Sequence, residues 1–324
     1  MSDAGRTPPA LAGAIWIAAL LHAAPEFPGR NLALQNVRRF ALGYDRQVSG
    51  YFGPGLRVEG NPAVDSNSLE PLLLRFTEPE LGPILRAALC PGQTFVDVGA
   101  NVGTYSLMAA SLVGPTGRVM AFEPVPETRA RLECNVALNH VPRLEIIPKA
   151  LGSAPGTTVL HVAAGASGLS SRYTQTDGSR VEVETTTLDR ELAGAMAPTL
   201  IKIDVEGMEL EVMRGARELL RGDSPPLIVF EAHPDHMRAA ATDYTAIRRF
   251  LADNGGYQIY ALGRRGLRNE PPEARAPSTA DVLAARPDSE AHTHAIAVLR
   301  GVHFRGQEPA AYTKLLARLR ERLG

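Results

Sequence analysis

Cysteine is nearly absent: Cys90 and Cys134 are the two in 324 residues. That excludes a disulfide framework and a thiolate-built zinc site, and leaves two reduced thiols expected in a cytoplasmic protein. Aromatic residues make up 6% of the chain and Trp16 is the one tryptophan, so no stacking platform announces a substrate. Charge of one sign is missing too. Thirty-four Lys and Arg face 35 Asp and Glu, so no global basic field argues for nucleic acid. No apolar run reaches the roughly 20 residues of a membrane span. The longest, Pro9 to Ala24, resembles the middle of a signal peptide. Asp3 offsets Arg6 ahead of it, however, and Pro25 spoils a small-residue cleavage site. A packed helix, with no membrane role, is the expectation.

What is present is a folded composition, 44% apolar and 21% charged, with room for a large domain and an accessory segment. Residues 1–75 are expected to be that accessory segment, mainly helical, with helices at 9–24 and 30–42 and a strand near 56–59. Residues 76–324 are the expected main domain. From Thr94 onward, strands and helices alternate, which predicts an α/β fold: a mostly parallel central sheet with helices on both faces. TFVDVGA, RVMAFEP, LEIIPKAL, TLIKIDV and PLIVFEA read as its core strands. QIYAL and AIAVL read as final strands, separated by a Pro-rich loop over 269–287. TTVLHVA and VEVETTT read as an inserted hairpin. Residues 68–88 are expected to be largely helical, broken into two pieces by Pro79 and Pro83, and one helix is expected over 208–220. The apolar face of a last helix, 308–323, suits packing on the domain or a homo-oligomer.

DVGANVG carries the first chemistry. It follows an apolar strand and opens a helix. Gly99 and Gly103 let backbone come close to a ligand, and the helix start offers amides to an anionic group. A dinucleotide loop needs G-x-G-x-x-G. Here Asn101 replaces the second glycine, and Asp97 would repel a diphosphate. A cofactor carrying an ammonium and a sulfonium suits that acid, with its methionine carboxylate at the helix start. Glu123, at the end of the second strand and followed by Pro124, can accept hydrogen bonds from both ribose hydroxyls. Ala150 leaves the third strand where an adenine edge is expected. S-adenosylmethionine is therefore the expected cofactor, held by Asp97, Gly99, Ala100, Asn101, Gly103, Glu123, Pro124, Ala150 and Asp204.

IKIDVEGMELE carries the second. In a strand, Lys202 and Asp204 share a face, and a lysine buried between isoleucines needs an anion. Asp204 and Glu206 lie at the C-terminal edge of one strand, and Glu231 and His233 at that of the next. Lys202, Asp204, Glu206, Glu231 and His233 form the expected catalytic rim, where a base takes the proton of an acceptor hydroxyl. Carboxylates with a histidine also suit a divalent ion. That is the less favoured reading, and no metal ligand is assigned.

FVDVGANVGTYS, the FEP turn, TTTLD before IKIDVEGMELEVMRGA, and IVFEAH occur in an order and spacing that resemble the FkbM-type methyltransferases over residues 94–233. The resemblance implies a class I, Rossmann-like methyltransferase fold and O-methylation of a small natural product or carbohydrate. It also implies that the GASGLSS loop, with Ser170 and Ser171, lines the acceptor side. The rival functions are an NAD(P)-dependent oxidoreductase on similar topology and a non-catalytic binding protein on a methyltransferase fold.

Overall fold

The computed structural model describes residues 48–53, 55–61, 81–141, 143–162, 170–172, 178–263, 266–271 and 281–302, with Ala10, Gly13, Ile17 and Phe40 as isolated helical positions. The expected helices at 9–24, 30–42 and 308–323, and the stretch 68–80, otherwise lie outside the described residues.

In chain order, strands β1 (Val48–Gly53) and β2 (Leu56–Gly60) precede helix α1 (Leu81–Ala88). The core follows as β3 (Thr94–Val98), α2 (Thr104–Val113), β4 (Arg118–Phe122), α3 (Pro126–Asn139) and β5 (Leu144–Ile147). Next come β6 (Ala150–Leu151), β7 (Gly156–Val162), β8 (Ser170–Ser171), β9 (Ser179–Thr186) and α4 (Leu188–Glu191). The chain then returns through β10 (Leu200–Ile203), α5 (Glu209–Arg214), α6 (Arg217–Arg221), β11 (Leu227–Glu231), α7 (Pro234–Ala239) and α8 (Tyr244–Gly255). The last elements are β12 (Gln258–Gly263), β13 (Gly266–Asn269), β14 (Asp281–Ala285) and α9 (Glu290–Arg300).

Eight strands form the central sheet, in the order β13-β12-β14-β11-β10-β3-β4-β5. β11, β10, β3, β4 and β5 run parallel, and β14 is antiparallel between β11 and β12. Burial on both faces explains why β3 and β10 are apolar at most positions, Thr94, Asp97 and Lys202 being the exceptions. Phe95 and Leu200 enter one hydrophobic cluster with α1, α2 and α9, whereas Val96, Val98, Ile201 and Ile203 enter the other with α5 and α8. The expected mostly parallel sheet with helices on both faces is present.

Several element boundaries differ from the sequence expectation. AIAVL is part of α9. Ser289 caps that helix by accepting from the His292 amide, and buried His292, Ala295, Ile296 and Leu299 follow a helical period. The expected Pro-rich loop contains β14, whose Val282, Leu283, Ala284 and Ala285 are fully buried between β11 and β12. LEIIPKAL divides: β5 stays in the central sheet, while β6 joins a four-stranded sheet ordered β6-β9-β7-β8. The expected hairpin is its β7–β9 pair. The helix expected over 208–220 breaks at Gly215, where any Cβ would collide with the Gly152 carbonyl oxygen. The Asp189 carboxylate then takes the amides of Glu218 and Leu219, each at 3.0 Å, and starts α6.

The described part of the N-terminal segment includes the β1–β2 hairpin. Leu56 and Val58 join the core cluster beneath α2. Two asparagines of α3 mimic a neighbouring strand along its edge. Asn139 exchanges hydrogen bonds with the Arg57 amide and carbonyl, both 2.7 Å, and Asn135 Oδ1 accepts from the Glu59 amide at 2.8 Å.

Candidate active site

The C-terminal edges of β3, β4, β10 and β11 bring the expected residues to one rim. Asp97 is the next-to-last residue of β3 and is fully buried. Its Oδ2 accepts from the Ser106 hydroxyl at 2.6 Å, and its Oδ1 has no hydrogen bond. Burial pushes the Asp97 pKa upward, opposed by the Lys202 charge and the Ser106 hydroxyl.

The following loop is shaped by left-handed backbone at Gly99 (φ 78°), Asn101 (φ 52°) and Gly103 (φ 90°). Only glycine fits at Gly99, because a Cβ would collide with the Asp204 carbonyl oxygen. The amides of Gly99 and Ala100 donate to Phe122 O at 3.1 and 3.0 Å, fastening the loop to β4. Ala100 is buried against Ala121 and Leu132. The first i→i−4 bond of α2 runs from Leu107 to Gly103, so the preceding amides lie outside the helix ladder.

Glu123 lies just past β4 and is 5% exposed. Its two oxygens accept from the amides of Asn101 (3.0 Å) and Val125 (2.9 Å). Each carboxylate oxygen retains a second acceptor position. Burial pushes the Glu123 pKa to about 7, against the lowering effect of those two amides. Pro124 is half-buried, and its carbonyl accepts from Arg129 at 3.0 Å. Ala150 lies in β6 and packs in one cluster with Val125 and Met208, beneath Leu160, Val162 and Val183 of the small sheet. It therefore sits between the turn after β4 and the loop after β10.

Lys202 is the buried cation of the site, 4% exposed. Its Nζ is 3.1 Å from Asp204 Oδ2, 3.3 Å from Gly99 O and 3.6 Å from Asp97 Oδ1. The Tyr105 ring centroid lies 5.7 Å away. One ammonium thus ties the glycine loop to both acids.

Beyond it, three segments meet. Glu206 follows β10 in a left-handed turn (φ 52°), Glu231 ends β11, and His236 stands in the first turn of α7. His236 Nδ1 is 2.7 Å from Glu206 Oε2 and 3.5 Å from Glu231 Oε2. The His233 ring stacks on His236, with centroids 4.1 Å apart. Burial, then the Asp204 charge, pushes the Glu206 pKa to about 8, and the same two causes push Glu231 up. Burial and the neighbouring His233 lower His236.

Two contributors escaped the sequence reading. His236 follows HPD within the next helix, so the sequence signal was a second histidine one turn after the first. Glu209, 2% exposed, folds back to accept from the amides of Val205 and Gly207 and fixes the loop that presents Glu206. That acid three to four residues after the turn is a capping pattern. Side chains of Ser170 and Ser171 lie outside what is described.

A profile of the methyltransferase FkbM domain matches residues 97–259, just over half of the chain. The chain belongs to the FkbM methyltransferase family. Its core sheet, parallel except for the β14 insertion and the β13 edge, is the class I methyltransferase architecture. Among curated relatives, the hexuronic acid methyltransferase AglP of Haloferax volcanii is 30% identical over 140 residues, 42% of this chain and 54% of that protein. The antimetabolite synthetase AmbE of Pseudomonas aeruginosa is 42% identical over 66 residues, 20% of this chain and 3% of that protein. The chain thus spans about half, or far less, of the length of these relatives. Among solved structures, the precorrin-6y C5,15-methyltransferase of Geobacter metallireducens is 15% identical with a TM-score of 0.37, covering 64% of this chain and 86% of that one. Among the described residues, no helix is long and apolar enough to cross a membrane.

Proposed function

We propose that this FkbM-family protein transfers a methyl group from S-adenosylmethionine to a hydroxyl of a small natural product or carbohydrate. The observation that carries the reading is the junction at Lys202, where the glycine loop and the acidic rim share one buried cation. The residues fit the cofactor. Asp97 Oδ1 and Asn101 Oδ1 are buried without hydrogen bonds, and Glu123 keeps free acceptor positions toward a ribose. Asp97, Gly99, Ala100, Asn101, Gly103, Glu123, Pro124 and Ala150 would hold it, with Asp204 toward its cationic end.

Held by these residues, adenosylmethionine would supply an electrophilic methyl carbon for an acceptor oxygen, with the thioether as its leaving group. The rim places the acceptor oxygen in line, which supplies most of the rate. His233, stacked on His236, takes the hydroxyl proton as the new bond forms. Lys202 ties Asp97 and Asp204 together and holds the loop in register. AglP is a hexuronic acid methyltransferase by name, which favours a sugar acceptor here.

Incubation with methyl-labelled cofactor and a panel of hydroxylated acceptors, including uronic acids, tests this. An alkali-stable labelled ether is the expected product. Label found only in alkali-labile esters, or on nitrogen, would overturn the hydroxyl reading.

A further inference from the structure

Asn135 of α3 is fully buried, and its side-chain amide joins two segments that lie far apart in the chain. Its Nδ2 donates to the Val102 carbonyl of the glycine loop at 2.9 Å, while its Oδ1 accepts from the Glu59 amide of β2 at 2.8 Å. We propose that Asn135 is a positioning residue through which the N-terminal β1–β2 hairpin shapes the cofactor loop, so that hairpin docking and cofactor binding favour each other. The inference rests on the adenosylmethionine reading above.

The amide has one usable orientation. Turned over, it would set its NH2 against the Glu59 N–H and its oxygen against the Val102 oxygen, like facing like on both sides. Val102 stands between Asn101 and Gly103, both with left-handed backbone, and the first i→i−4 bond of α2 ends on Gly103. The Val102 carbonyl thus lies ahead of the helix ladder, and Asn135 supplies its partner. The Asn101 amide, one residue earlier, is fixed by Glu123. The Asn101–Val102 pair is held by Glu123 at its amide and by Asn135 at its carbonyl.

Positions 132, 135 and 139 share one face of α3, and that face runs from the loop to the hairpin. Leu132 packs on Ala100, and its Cδ1 fills the space that a Cβ on Gly103 would take. Asn139 closes the far end. It holds the Arg57 amide and carbonyl, and its Nδ2 also donates to the Asn135 carbonyl. Leu56 and Val58 seat the same strand in the core. Loosening the hairpin leaves the buried Asn135 oxygen without its donor, and with it goes the pairing that aims Nδ2 at Val102. Such coupling is reciprocal: whatever the docked hairpin adds to cofactor affinity, bound cofactor adds to hairpin docking.

The test is amide hydrogen exchange of the full chain with and without saturating S-adenosylhomocysteine, paired with calorimetry of two variants. The Glu59 amide should exchange at least about fivefold more slowly with ligand bound, while the β12–β13 hairpin at the far edge of the central sheet keeps its rate. Asn139→Ala removes the far clasp and no hydrogen bond to the loop, and should weaken adenosylhomocysteine binding by about fivefold or more. Asn135→Leu should weaken it further. Unaltered affinity in folded Asn139→Ala protein overturns the coupling and leaves the cofactor reading intact. Slowing at Glu59 no greater than in the β12–β13 hairpin does the same, since ligand then acts only by global stabilisation. No binding of adenosylhomocysteine by the folded wild-type chain overturns the cofactor reading and the coupling together.

Discussion

The Lys202 ammonium lies 3.1 Å from the Asp204 carboxylate, and the two residues are two apart on one face of β10 and the turn after it. The same nitrogen reaches the Gly99 carbonyl and Asp97. A buried pair of this kind adds little net stability, but removing one partner strands the other.

Lys202→Met should therefore cost about 3–5 kcal/mol, read as a lowered urea midpoint. Adding Asp97→Asn should restore part of that loss, because the stranded acid is gone. Equal midpoints for the single and double variants would contradict the coupling.

The loop glycines should differ in tolerance. At Gly99 a Cβ meets the rigid Asp204 carbonyl, whereas at Gly103 it meets Leu132 Cδ1, the end of a flexible side chain. Both have positive φ, so both alanine variants lose stability. Gly99→Ala should lose more, and should abolish adenosylhomocysteine binding. Thermal melting and calorimetry on the two variants check the order.

Glu123 links the site to pH. Its folded pKa, about 7, exceeds the ordinary carboxylate value, so the folded state binds the proton more tightly than the unfolded one. Its contribution to stability is greatest below the unfolded pKa and declines as pH rises toward 7, by on the order of 1–3 kcal/mol. Glu123→Gln should flatten that decline in a melting series from pH 5 to pH 8. In the wild type, cofactor affinity should rise over the same interval, since the ionised carboxylate is the better acceptor for ribose hydroxyls. An unchanged slope in the variant would exclude Glu123 as the source.

His233→Ala should reduce kcat about 10²–10⁴-fold while leaving adenosylhomocysteine affinity intact. Steady-state kinetics paired with calorimetry separates the two effects. An unaltered kcat removes His233 as the proton acceptor.

The sequence made the strand-loop-helix pieces legible because their signals are local. Asp97, the two glycines and Glu123 stand at fixed offsets from apolar runs, and Lys202 announced a buried anion by its isoleucine neighbours. Non-local features were harder to read. His236 joins Glu206 and Glu231 only because α7 turns back across the strand ends. β14 is short and flanked by proline-rich sequence, and its strand character comes from pairing with β11 and β12. AIAVL is a short apolar run like a buried strand, yet the Ser289 cap and the spacing of His292 to Leu299 make it helical. Gly215 breaks a helix for the sake of Gly152, a contact visible only in three dimensions.

The central claim is that the loop and rim form one adenosylmethionine site, and titration of the full chain with S-adenosylhomocysteine by calorimetry tests it most directly. The expected result is one-to-one binding that Glu123→Ala weakens, with no heat from NAD(H). Absence of adenosylhomocysteine binding by folded protein, or binding of NAD(H) in its place, would contradict it.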